Sequence, residues 1–189
     1  MPVSGTVMID ELGIVGDAIC NRKHHGGVDQ AIYLEGLTTL AWWEAELANP
    51  ILPGTFGENL VISDLDNRTI NVGDQLLIGD VLLEATSARI PCATFVARMN
   101  DPQFARRYIR AARPGIYCRV LKSGTATADD TVVYRPFEGE KVTIAETMAT
   151  FGKTLPAEER RRYLAAPIHY KLRASIEAAG DIEGQPASF

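Results

Sequence analysis

The chain has 189 residues, enough at roughly 150 per domain for one domain with a terminal addition and too few for two full ones. Hydrophobic residues make up 46% and charged residues 23%, which excludes disordered and fibrous classes, and the net charge of -5 gives no general reason to expect a nucleic-acid polymer as partner. No run approaches the ~20 apolar residues that span a bilayer, and Met1-Pro2-Val3-Ser4-Gly5 lacks the charged and apolar regions of a signal peptide. A cytoplasmic protein with no membrane association is expected. Three cysteines, Cys20, Cys92 and Cys118, form no CxxC pair, so each is read as a thiol.

In chain order, short β-branched or aliphatic runs predict strands at Val3 to Ile9, Ala31 to Leu34, Ile70 to Asn71, Gln75 to Ile78, Val81 to Ala85, Ile116 to Leu121 and Val132 to Tyr134. Gly79-Asp80 suits a tight hairpin turn between the fourth and fifth. Two helices interrupt them. One is Leu37 to Ala48, with Leu40, Trp43 and Leu47 at helical spacing and Pro50 and Pro53 beyond its end; in the other, from about Pro102 to Ala111, Phe104, Tyr108 and Ile109 share a side. Trp42 falls off the apolar spacing and reads as a surface ring.

After Pro136 the pattern turns helical. Thr143 to Glu146 fits a capping box, and helices are expected at Pro156 to Tyr163 and at Ile168 to Ala179, the last ended by Gly180, with a frayed tail from Asp181 to Phe189. Residues 1–136 are thus read as a mostly antiparallel β core and 137–189 as a helical C-terminal extension. The runs Arg106 to Arg110 and Glu158 to Arg162 read as solvated helix faces, the second with Glu158 paired to Arg162.

Three segments could carry chemistry. In Asn21-Arg22-Lys23-His24-His25-Gly26-Gly27-Val28-Asp29-Gln30, adjacent histidines can converge on a loop, and the glycines let backbone N–H groups approach an anion; a plain polar turn fits equally. Pro53 to Leu60 places two glycines around Phe56 ahead of Glu58 and Asn59. That loop either orients those two side chains toward a ligand or is structural, with Asn59 satisfying backbone groups and Phe56 filling the core. In Ser87-Ala88-Arg89-Ile90-Pro91-Cys92 a thiol follows a strand, and Arg89 and Arg98 are placed to favour its thiolate. The alternative is a small buried hydrophobe. Cys118 alternates as a core strand position, and Cys20 has only Arg22 as a cationic neighbour. No Walker loop, GxGxxG, HExxH or GxSxG is present.

These segments together resemble the MOSC domain, the C-terminal domain of molybdenum cofactor sulfurases that also occurs alone in bacteria. The matching stretches are Gly13 to Asp17, Lys23 to Tyr33, Gly54 to Leu60, Val72-Gly73-Asp74 and Arg89-Ile90-Pro91-Cys92, in order across about residues 2–135. Ala41 to Glu44, Pro114 to Tyr117 and the helical tail are similar to the hydroxylaminopurine resistance subgroup. The resemblance implies a mainly β, α+β fold: a β-barrel core with inserted helices and a helical C-terminal extension. It also implies a molybdenum cofactor (molybdopterin). Cys92 would serve as sulfur carrier or molybdenum ligand, with Arg89 and His24 as its catalytic partners. Lys23, His25, Gly26, Gly27, Glu58 and Asn59 would bind the cofactor.

Expected partners are a small-molecule substrate such as an N-hydroxylated base and an electron-donor reductase. A carrier role without catalysis, and zinc held by His24, His25 and Cys92, are the alternatives. Pyridoxal phosphate belongs to another domain of the fused sulfurases, and nothing in this chain requires it. In the subgroup an initial strand precedes Pro2-Val3-Ser4-Gly5. Either the start of the chain lies further upstream or the barrel closes some other way; an unclosed sheet is expected to expose an edge at Val3 to Ile9, giving either a monomer of lower solubility or an edge-paired dimer.

Overall fold

The computed structural model describes residues 5–17 and 26–183. Nine strands and six helices alternate in an α+β arrangement among these residues. The strands are β1 (Thr6–Asp10), β2 (Gly13–Ile14), β3 (Ile32–Gly36), β4 (Leu60–Ile62), β5 (Gln75–Ile78), β6 (Val81–Ala88), β7 (Ile116–Lys122), β8 (Gly124–Thr127) and β9 (Val132–Arg135). The helices are α1 (Leu37–Leu47), α2 (Ala93–Met99), α3 (Phe104–Ala111), α4 (Ile144–Ala149), α5 (Ala157–Ala165) and α6 (Tyr170–Glu183).

A six-stranded sheet of order β4-β3-β7-β6-β5-β9 curls into a half-barrel, and a three-stranded sheet, β2-β1-β8, accompanies it. Pairing is antiparallel throughout except for β3 with β4. The β5–β6 hairpin turns at Gly79, whose φ of 54° is open to glycine, and the turn is tied to β8 by Asp80 N–H donating to the Thr125 carbonyl at 3.0 Å. β6 runs past its expected end at Ala85 because β7 continues to pair with it as far as Ala88 opposite Ile116.

The core has two parts. Val81, Leu83, Ala85, Ile116 and Cys118 fill the sheet, while Trp43, Phe56, Phe95, Phe104 and Tyr108 form an aromatic cluster beneath α1, α2 and α3. Trp43 stacks on Tyr108 with ring centroids 5.8 Å apart, and burial of rings of this size dominates local stability. Trp42 packs its edge on Trp43 and lies under the Arg113 guanidinium.

Several expectations are corrected. Ile109 is 49% exposed, since Phe104 and Tyr108 lie four apart on one face and the next residue is rotated about 100° away. Ile70-Asn71 forms only an isolated bridge, Asn71 to Thr143. Arg162 bonds Glu146 at 2.7 Å instead of Glu158, joining α5 to α4. Gly180 does not stop α6, which continues to Glu183; one helical glycine costs only ~1 kcal/mol relative to alanine and is no barrier by itself. Among the described residues β1 pairs with β8 over Thr6 to Ile9 but with β2 only at Ile9 and Asp10, so the edge expected there is only partly covered. Val3, Ser4 and residues 184–189 lie outside the described residues.

The segment after β9 folds back over β6. The capping box of α4 is complete, with Thr143 and Glu146 exchanging side-chain to backbone bonds at 3.1 and 2.7 Å. Thr147 then accepts the Ala88 N–H at 3.0 Å. At the head of α6, Tyr170 N–H donates to the Asp29 carboxylate at 2.7 Å, and Arg119 pairs with the same carboxylate at 3.0 Å. Asp29 therefore clasps the glycine loop, β7 and the C-terminal helices together.

Candidate functional site

Segments far apart in sequence meet around one cavity of about 260 Å³. Its walls come from the β1–β2 region (Leu12, Gly13, Ile14, Asp17), the glycine loop and β3 (Gly26, Gln30, Ala31, Tyr33), the loop before β4 (Phe56, Gly57, Asn59), and Arg89 and Tyr117. Gly26 and Gly27 adopt φ of 84° and 92°, a left-handed backbone that side chains disfavour, which explains the glycine pair. Lys23, His24, His25 and Cys20 lie outside the described residues.

The two candidates before β4 behave differently from each other. Glu58 spends both carboxylate oxygens on its own loop, accepting the Gly54 N–H and, at 3.0 Å, the Phe56 N–H. Asn59 accepts the Tyr33 N–H at 2.8 Å, while its own N–H donates to the Tyr33 carbonyl at 2.8 Å and its amide donates to Asp17 at 3.3 Å. Asn59 thus reaches the cavity wall while fastening the loop to β3. Glu58 is not part of that wall.

Arg89 is the cation of the cavity. Its backbone is fixed by an N–H bond to the Gly115 carbonyl, and its side chain lies over the rings of Phe95 at 5.0 Å and Tyr33 at 5.8 Å. One Nη donates to the Tyr117 hydroxyl at 3.3 Å, whereas Nε is buried without a partner. No carboxylate among the described residues forms an ion pair with it. Burial alone would lower its pKa, but the surrounding Tyr117 and Tyr33 hydroxyls and the Cys92 thiol hold it above the ordinary value.

Cys92 is half-buried and caps α2, a helix the sequence reading missed. Burial pushes its thiol up, but the N–H groups of Phe95 and Thr94 at the opening of α2 and the positive charge of Arg89 outweigh it, so the net pKa is lowered. Cys92 stands beside Arg89 and is not itself in the wall of the cavity. Cys118 is the opposite case: fully buried in β7, with its thiol pushed far up by burial.

Beneath the cavity lies a polar network that sequence reasoning did not find. Tyr33 donates its hydroxyl to Glu35 at 2.5 Å, and Asn67 donates to the other Glu35 oxygen at 2.6 Å and to the Pro114 carbonyl at 3.0 Å. Burial raises the Glu35 carboxyl to about 8 against the pull of these two donors, and it also raises the Tyr33 hydroxyl. A neutral Glu35 thus sits at neutral pH behind a tyrosine that faces the cavity. Gly115 is required here, because a Cβ would overlap the Tyr33 ring and the Glu35 carboxylate. The only sequence signal was an acid inside a run of apolar residues, Ile32-Tyr33-Leu34-Glu35.

The architecture has close counterparts among solved structures. Crystal structures of YiiM from Escherichia coli (TM-score 0.79, 22% identity, covering 99% of this chain and 90% of that one) and from Geobacillus stearothermophilus (0.79, 20%, 94% and 86%) share the fold. By sequence the chain is 34% identical over 141 residues to a protein of Gibberella moniliformis described as a reductase, covering 70% of this chain and 25% of that protein. It is 28% identical over 130 residues to YiiM of Escherichia coli, covering 67% of this chain and 58% of that protein. The chain therefore spans between a quarter and three-fifths of the length of these relatives. The MOSC domain matches residues 21–133, which contain most of the cavity wall and both Arg89 and Cys92. The protein belongs to the MOSC domain family.

Proposed function

We propose that the cavity beside Arg89 binds the molybdenum cofactor and that Cys92 engages it as metal ligand or sulfur carrier, in an enzyme that reduces N-hydroxylated bases such as 6-hydroxylaminopurine. The observation that carries this reading is Arg89: a half-buried cation with a free Nε, no carboxylate partner among the described residues, and a lowered-pKa thiol at its side. An unpaired guanidinium in a concave site suits an anion, and a phosphate accepts its donors well. The backbone of Gly26 and Gly27 and the amide of Asn59 would complete the cradle, with Lys23 and His25 as further candidates from the glycine loop. Cys92 offers one sulfur donor, which is enough for a metal that arrives already chelated. Zinc held by Cys92 would need His24 and His25, both outside the described residues.

Removing the hydroxyl of an N-hydroxylated base takes two electrons and two protons and yields the amine and water. When bound, the cofactor would supply the redox step, its two electrons coming from an electron-donor reductase. The chain's own task is position and protons: Arg89 neutralises negative charge, and the neutral Glu35 holds a proton one hydrogen bond behind Tyr33, whose ring faces the cavity. A reducing cytoplasm would keep Cys92 a thiol.

The test is stoichiometric molybdenum and pterin fluorescence in the purified protein, followed by reduction of 6-hydroxylaminopurine with an electron donor. Loss of both activity and metal content in Cys92→Ser supports the reading, loss of neither contradicts the role of the thiol, and molybdenum without turnover points to a carrier.

A further inference from the structure

A second cavity of about 370 Å³ lies behind the first, between the end of β6 and the C-terminal helices. Arg89, Tyr117 and Gln30 form the partition between the two. Its remaining walls come from Ser87 to Ile90, from Thr147 in α4 with Phe151 and Gly152 after it, and from His169 just before α6 with Lys171, Leu172 and Ser175 within it. Apart from Arg89 in that partition, no residue given a catalytic or cofactor role above lines it.

Its polar groups are in an unusual state. Ser87 is 9% exposed and His169 is 4% exposed, yet Ser87 Oγ and His169 Nε2 are both buried with no hydrogen-bond partner among the described residues. Nδ1 of His169 accepts the Lys171 N–H at 3.0 Å, and burial keeps this imidazole on the neutral side, so its proton is on Nε2. His169 is held rigidly, since its N–H bonds the Thr86 carbonyl and its ring stacks on Tyr170 at 4.7 Å. Thr147, by contrast, is satisfied from both sides and offers nothing. Unpaired buried donors cost free energy unless something occupies them, and here two side chains and Arg89 Nε leave donors idle on one cavity.

The lining also fixes the charge and shape of what fits. Arg89 and Lys171 contribute cations and no carboxylate among the described residues lines the space, while Ile90, Phe151 and Leu172 supply apolar surface. We infer that this cavity binds a small organic monocarboxylate, its carboxylate toward Ser87 and His169 and its apolar body against Ile90, Phe151 and Leu172. Lys171 is solvent-exposed, which leaves two neutral donors and one half-buried guanidinium to match a single negative charge on an apolar frame. This assignment shares Arg89 with the proposed cofactor cavity but requires no cofactor to be bound.

Calorimetric titration of the full-length protein tests it, with benzoate as probe, benzamide as the neutral isostere and inorganic phosphate as an anion without an apolar body. Benzoate is expected to bind saturably and at least tenfold more tightly than either control. Ser87→Ala should weaken it about tenfold. Ser175→Trp, at an exposed position on the rim, should block it while leaving the circular dichroism spectrum unchanged. Equal binding of benzamide, benzoate binding untouched by Ser175→Trp, or no binding of benzoate at all would each overturn the assignment. None of these outcomes depends on molybdenum content.

Discussion

The Tyr33 hydroxyl and Oε1 of Glu35 are 2.5 Å apart, and Glu35 is the only carboxylate in that fully buried group. Its pKa is raised from 4.5 to about 8 in the fold, so the folded state holds its proton more tightly than the unfolded chain. Stability from this group is fully present below about pH 4.5 and is lost as pH rises toward 8. Glu35→Gln keeps the hydrogen-bond frame without the titration. Urea denaturation should show the wild type losing on the order of a few kcal/mol between pH 5 and 8 through this group and the variant losing much less. Parallel curves for the two proteins would mean that Glu35 is charged in the fold.

Asp74, in the Val72-Gly73-Asp74 stretch, is wholly structural. It is fully buried and accepts four bonds: from the N–H groups of Asn71 and Phe137 at 2.8 Å each, from the Tyr134 hydroxyl at 2.6 Å, and from the Asn71 amide at 3.3 Å. Asp74→Ala leaves those donors unsatisfied and should cost about 3 kcal/mol or more, while Tyr134→Phe should cost about 1 kcal/mol. Thermal unfolding of the two variants checks the order. If Asp74→Ala unfolds no earlier than Tyr134→Phe, the hub role is wrong.

How much of this could be read in the sequence depended on the kind of signal. Trp43, Leu40, Phe104 and Tyr108 announced themselves by helical spacing, and the Thr143 to Glu146 box was visible as chemistry. Cys92 and Arg89 stand out as a thiol after a strand with a cation three positions before it, and through the resemblance to the MOSC domain. The helix opening at Ala93 was not foreseen, because the strand and proline before it suggested an extended exit, although that helix supplies the N–H groups that lower the thiol's pKa. Glu35, Ser87 and His169 were missed for a different reason. Local pattern says which face of an element is apolar, but only the pairing of β3, β6 and β7 and the return of α6 over them decide which polar residue is enclosed. The Glu58 loop shows the converse, since its conspicuous acid is consumed by its own backbone.

The proposed function needs Arg89 and Cys92 to act as a pair, and the most direct measurement is the pH dependence of Cys92 alkylation by iodoacetamide, assigned by peptide mass spectrometry, in the wild type and in Arg89→Gln. The wild-type profile should turn over below the ordinary thiol value of 9.0, and the variant profile should move upward. A Cys92 that reacts only as an ordinary thiol, or a profile unmoved by the loss of Arg89, would contradict the account.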